Sequence, residues 1–128
     1  MKIGLFVIVL VVGLVVGLQV LVRSRARAMR GRPAPELTGP LGRELAGAPR
    51  ALLYFFSPGC SACKPLTPRF AALRRTNPAV HLVDVAQDLE VARSFRVMGT
   101  PSVVEIADGT IVGYHVGSVP PELLARFA

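Results

Sequence analysis

Cysteine is scarce in this chain of 128 residues: there are two, Cys60 and Cys63. That excludes the disulfide framework that staples many small secreted domains. A single bridge across so short a loop would also stabilise little. No cysteine lies in the N-terminal segment, so a lipid attached there through a thiol is excluded. Acidic residues are missing from residues 1–33, which carry six basic ones: Lys2, Arg23, Arg25, Arg27, Arg30 and Arg32. Residues 34–128 hold nine basic and eight acidic side chains, so the net charge of +7 belongs mainly to the N-terminal segment. The remainder is nearly neutral and shows no clustered basic patch, which argues against nucleic acid as a partner. There is no internal repeat, and the length suits one domain.

What is present begins with Ile3 to Val22, a run of apolar side chains and Gly broken only by Gln19. As a helix it spans about 30 Å, the thickness of a bilayer's hydrocarbon core. No polar face interrupts it, as a soluble core helix would require. The run is longer than the h-region of a cleaved signal peptide. Ala26-Arg27-Ala28 has the small-x-small form of a cleavage site but lies within an Arg-rich stretch. Residues 1–22 therefore read as a transmembrane helix, with membrane lipid as a partner. Gly13 and Gly17 would permit close approach of two such helices. Glycine is common in membrane helices, so a helix-mediated dimer is the lesser reading of that pair. Five arginines follow the run, and the positive-inside rule then places the following domain in the cytoplasm.

Residues 23–35 read as a basic linker, closed by Pro33-Ala34-Pro35, whose prolines favour extended chain. Residues 36–128 read as one domain. Leu41 to Leu45 fit a short helical turn or half of a hairpin. Ala51 to Phe56 is a short apolar run ended by Ser57-Pro58-Gly59, the pattern of a strand buried on both faces. Residues 61–76 carry Ala62, Leu66, Phe70 and Leu73 at helical spacing, with Pro68 expected to kink the helix. Val80 to Val85 predicts a strand and residues 88–96 a short helix. Ser102 to Ala107 and Thr110 to Val116 predict two strands joined by Asp108-Gly109, a strong hairpin signal. Residues 120–127 predict a closing helix.

Two thiols at C-x-x-C spacing between a strand and a helix read as a dithiol redox site. With Val97-Met98-Gly99-Thr100-Pro101-Ser102 about 38 residues on, and with Lys64 and Pro68 after the second cysteine, residues 51–128 resemble the thioredoxin family. The lead-in Pro33-Ala34-Pro35-Glu36-Leu37, followed by Gly42, is similar to that of membrane-anchored thiol–disulfide oxidoreductases serving cytochrome maturation and related tasks. Those domains usually face out of the cytoplasm, opposite to the charge rule.

The resemblance implies an α/β, thioredoxin-like fold, a central mixed sheet flanked by helices. It implies Cys60 as the attacking thiol and Cys63 as the resolving one. It also implies a cis peptide bond before Pro101, with the Thr100 backbone free to pair with a substrate segment. Protein dithiols or disulfides would be the substrates and a redox protein the partner, with no cofactor. The alternative is a membrane-tethered binding module that uses the Thr100-Pro101 groove without turnover.

The chain departs from the family at Tyr54, where thioredoxins carry a buried Asp, and at Leu82, near the place of its Lys partner. That acid's proton-handling role is therefore not implied here. Ser61-Ala62 replaces the familiar Gly-Pro, which leaves the potential and the direction of electron flow open. Glu105 reads as part of a solvated strand face rather than as a catalytic acid. Met98 reads as packing beside the proline loop. His81 and His115 could in principle join the cysteines around zinc, but they are 34 residues apart on separate predicted strands, so no metal is expected.

Overall fold

A computed structural model describes residues 1–128. Its elements are α1 (Lys2–Met29), α2 (Gly39–Ala46), β1 (Arg50–Phe56), α3 (Thr67–Thr76), β2 (Val80–Asp84), α4 (Leu89–Ser94), β3 (Ser102–Ala107), β4 (Thr110–Val116) and α5 (Pro121–Arg126). The strands form one mixed sheet in the order β2-β1-β3-β4. β1 runs parallel to β2 and antiparallel to β3, and β3 and β4 form the hairpin. Asp108 and Gly109 both have positive φ, 50° and 76°, as a tight two-residue hairpin turn requires.

β1 is buried from Ala51 to Phe55, as its unbroken apolar run predicts. Side chains alternate across a strand, so β1 feeds two cores. Leu52 and Tyr54 pack with Phe70 of α3 and Leu123 and Phe127 at the C-terminal end. Leu53 and Phe55 pack on the other face with Phe95, Val104 and two residues of α1, Ala26 and Met29. Burying one large apolar side chain stabilises a fold by roughly 1.5–3 kcal/mol.

The stretch expected to be linker, residues 23–35, is helical as far as Met29. No Gly or Pro interrupts Arg23–Met29, and burial of Ala26 and Met29 favours the extra turns. The chain then breaks at Gly31, where φ is +84°. Beyond it the chain runs along the outer edge of β4. The Gly31 amide donates to Ile111 O at 2.7 Å, the Ile111 amide to Arg32 O at 2.9 Å, and the Ala34 amide to Gly109 O at 2.8 Å. This segment satisfies backbone groups on an edge that would otherwise face solvent.

A second difference concerns the helix after the cysteines. It begins at Thr67, not Ser61, and Pro68 sits in its first turn rather than at a mid-helix kink. Pro65 and Pro68 have no N–H to donate, so residues 61–66 form successive turns instead of a regular helix. Proline in a first helical turn removes a donor that has no partner there anyway.

Candidate active site

β1 ends at Phe56, and four residues later the chain reaches Cys60, whose amide donates to Ser57 O at 3.2 Å. Cys60 and Cys63 are joined by a disulfide, with Cα atoms 5.3 Å apart. Their exposures differ: Cys60 is partly exposed, while Cys63 is 2 % exposed. The Cys63 amide donates to Cys60 Sγ at 3.2 Å. A regular helix does not start at residue 61, so this directed N–H, and not the end of a helix, is the hydrogen bond that reaches Cys60 Sγ.

Under the ring, the Cys63 carbonyl gathers donors. It accepts from the Leu66 amide at 3.0 Å, the Thr67 amide at 2.8 Å and the Thr67 hydroxyl at 3.0 Å. The Tyr54 hydroxyl lies 2.9 Å from Thr67 Oγ1 and 3.3 Å from the same carbonyl. Tyr54 is held flat by stacking on Phe70, with ring centroids 4.1 Å apart. Burial pushes its phenol pKa up, against a smaller opposing effect of the Thr67 hydrogen bond. Tyr54 thus occupies the family's acid position as a neutral hydrogen-bonding group. Sequence reasoning missed Thr67. The available signal was its spacing of four from Cys63, which lets a hydroxyl reach back one turn to a carbonyl.

The register pairs Phe55 with Ser102, which puts Thr100 and Pro101 at the end of the sheet from which the chain departs toward Cys60. The Thr100–Pro101 peptide bond is cis. Pro101 is buried, Thr100 is partly exposed, and the Pro101 carbonyl accepts from the Gly117 amide at 2.8 Å. Met98 is 48 % exposed rather than packed away, and its Sδ lies 4.0 Å from Arg25 Nη1.

Glu105 lies away from this end. Glu105 is buried, against expectation, and accepts from Arg50 at 2.8 Å and from Arg126 at 2.9 Å. Two guanidinium partners make burial of its carboxylate tolerable. It pairs with Leu52 and Gly113 in the middle of the sheet, so it is a structural acid. His81 is on β2 and His115 on β4, opposite edges of the sheet, and no three potential ligands cluster. Both imidazoles are pushed to lower pKa, chiefly by burial, aided by Arg74 at His81 and Arg30 at His115.

Comparison with known proteins agrees with this layout. The family model described as Thioredoxin matches residues 43–128. A thioredoxin of Echinococcus granulosus is 33 % identical over 66 residues, 50 % of this chain and 62 % of that protein. The SPbeta prophage-derived thioredoxin-like protein YosR of Bacillus subtilis is 37 % identical over 73 residues, 56 % of this chain and 88 % of that one. The matched region spans only 12 % of the protein disulfide isomerase-like 1-4 of Arabidopsis thaliana, at 31 % identity. Among solved structures, a mutant thioredoxin from Halobacterium salinarum superposes with a TM-score of 0.58 at 26 % identity, covering 74 % of this chain and 88 % of that one. The first thioredoxin domain of mouse protein disulfide-isomerase A4 gives 0.54 at 26 %, covering 68 % and 66 %. A mixed sheet, a C-x-x-C pair at the end of its first strand, and a family match over most of the chain lead to one conclusion: the chain belongs to the thioredoxin family.

Proposed function

We propose that this protein carries out thiol–disulfide exchange on protein substrates from a membrane tether. The observation that carries the reading is the Cys60–Cys63 pair, with one sulfur partly open and its partner buried behind it. In the reduced protein, the Cys60 thiolate attacks one sulfur of a substrate disulfide. A mixed disulfide forms, and the other substrate sulfur leaves as a thiolate that takes up a proton. The Cys63 thiolate then attacks Cys60 Sγ, closes the bond seen here, and releases the second substrate sulfur. Two electrons pass from the dithiol to the substrate. The reverse sequence oxidises a substrate dithiol. Only Cys60 is accessible enough to attack a protein, so it is the nucleophile and Cys63 resolves. Thr100, partly exposed beside Pro101, offers backbone groups to an extended substrate segment.

The tether is α1. Residues 3–21 are all exposed and almost wholly apolar, and the helix is long enough to cross a bilayer. The arginines that follow favour the cytoplasmic face for the domain, by the positive-inside rule. Substituting Cys60→Ser tests the chemistry. Reduction of a protein disulfide should fall to the uncatalysed rate, and a variant with its full biological effect intact would instead indicate a binding module. A reporter fused after Ala128 tests the topology and should be active on the cytoplasmic side alone.

A further inference from the structure

Exchange chemistry makes no use of the cleft between the last turns of α1 and the domain. Its volume is about 540 Å³. Four arginines converge on it: Arg25 from α1, Arg32 from the segment along β4, Arg93 from α4, and Arg96 just beyond. All four are exposed, and no carboxylate lines the cleft. None of the four takes part in an ion pair; the protein's three pairs use Arg50, Arg126 and His81. Four unneutralised guanidinium groups around one cleft repel each other, and an anion seated among them relieves that repulsion. Guanidinium forks match phosphate oxygens in particular. Eight of the twelve lining residues are apolar, so the site suits an anion attached to hydrocarbon better than a bare one.

The position of the cleft along α1 names the ligand more closely. Val22, the last residue of the apolar run, lines it. At 1.5 Å per residue, Arg25 lies about 4–5 Å, and Met29 about 10 Å, beyond the hydrocarbon edge. The headgroup layer of a bilayer is roughly 5–8 Å deep on each side. The cleft therefore opens at the level of the lipid phosphates. The geometry points to a binding site for the phosphate headgroup of an anionic phospholipid, drawn from the leaflet in which α1 ends. This rests on the membrane-spanning reading of α1. Met98 lies against Arg25 and directly precedes Gly99-Thr100-Pro101, so a bound lipid would sit beside the loop that faces the dithiol end of the sheet.

The test uses the full chain in detergent, with lipid adducts read by native mass spectrometry. Phosphatidylglycerol, phosphatidylcholine and inorganic phosphate are titrated separately. Phosphatidylglycerol should bind at least tenfold more tightly than phosphatidylcholine, and millimolar inorganic phosphate should not displace it. Each arginine near a membrane surface is worth roughly fivefold in affinity, so the double variant R93Q/R96N should weaken phosphatidylglycerol binding about 25-fold. Asn tolerates the positive φ of 54° at position 96. Arg32→Gln, outside every helix and strand, should shift binding the same way and checks against disturbance of α4. The control R69Q/R75Q, on α3, should bind like the parent.

Equal binding of the two lipids overturns the proposal, as does parental binding by both R93Q/R96N and Arg32→Gln. An equal loss in the control also overturns it, and displacement by inorganic phosphate makes the cleft a free-anion site. Alkaline carbonate extraction from vesicles separates the two readings. A chain washed off the vesicles removes the tether and the lipid site together. A chain retained without lipid preference removes the lipid site alone.

Discussion

The two faces of the sheet share strand β1 but serve different ends. On one face, Tyr54, Phe70, Leu123 and Phe127 form a core with no residue of α1 in it. Its upper layer is the floor of the dithiol ring, through the Tyr54–Thr67–Cys63 hydrogen bonds. On the other face, Phe55 and Phe95 pack with Ala26 and Met29, so α1 helps build that core. Alternate residues of one strand thus support the dithiol end and the packing of α1 separately. Damage to one face should leave the other function standing, provided that the domain stays folded.

Truncating each core should break this division most visibly. Phe70→Ala should cost about 3–5 kcal/mol, and Met29→Ala, nearer the surface, about 2 kcal/mol. Both are measurable as lowered thermal unfolding of the full chain in detergent. The folded fraction should behave differently in each. Exchange should slow in Phe70→Ala, because Tyr54 loses the ring it stacks on, and should persist in Met29→Ala. Equal slowing in both would mean that the faces are not independent.

A subtler change sharpens the role of Tyr54. Tyr54→Phe removes one hydroxyl yet leaves Thr67 bonded to the Cys63 carbonyl. Stability should fall by about 1 kcal/mol, seen as a lower denaturation midpoint. The pH profile of Cys60 alkylation in the reduced protein should not move, because the hydroxyl meets a carbonyl and not a sulfur.

The smallest expected effect lies at the sheet's edge. His81 Nδ1 is 3.0 Å from Arg74 Nη1 and 3.2 Å from Glu44 Oε2. Burial and Arg74 together outweigh Glu44, so the ring is neutral and accepts from Arg74. Its folded pKa lies below the ordinary 6.5, so the unfolded chain binds the proton more readily. The contribution to stability is full above about pH 6.5 and is lost as pH falls through the lowered folded value. His81→Gln should flatten that part of a stability–pH curve, and an unchanged slope would assign the acid sensitivity elsewhere.

Local signals carried much of this layout. Asp108-Gly109 marked the hairpin, and β3 and β4 have the bounds that the apolar runs predict. Cys60 and Cys63 stood out by spacing. What escaped depended on partners distant in sequence. Ala26 and Met29 looked like linker because nothing nearby shows that they meet Phe95 and Tyr114 across the fold. The pairing of Gly31 to Ala34 with β4 is a long-range ladder without a local pattern. Apolar spacing from Ala62 to Leu73 suggested one helix, but two prolines outweighed periodicity and delayed its start to Thr67. Glu105 followed strand alternation in pointing to one side, and only the fold shows two arginines waiting there.

The hydrogen-bonded segment along β4 begins two residues after α1 ends. If α1 spans a membrane as proposed, almost no slack chain separates it from the domain it carries. A domain so tethered would search for substrates on a surface and not through a volume, on a leash shorter than its own width. Disulfides held a few nanometres above the lipid would stay beyond its reach, however reactive the thiol. Its clients would then be sorted by height as much as by sequence.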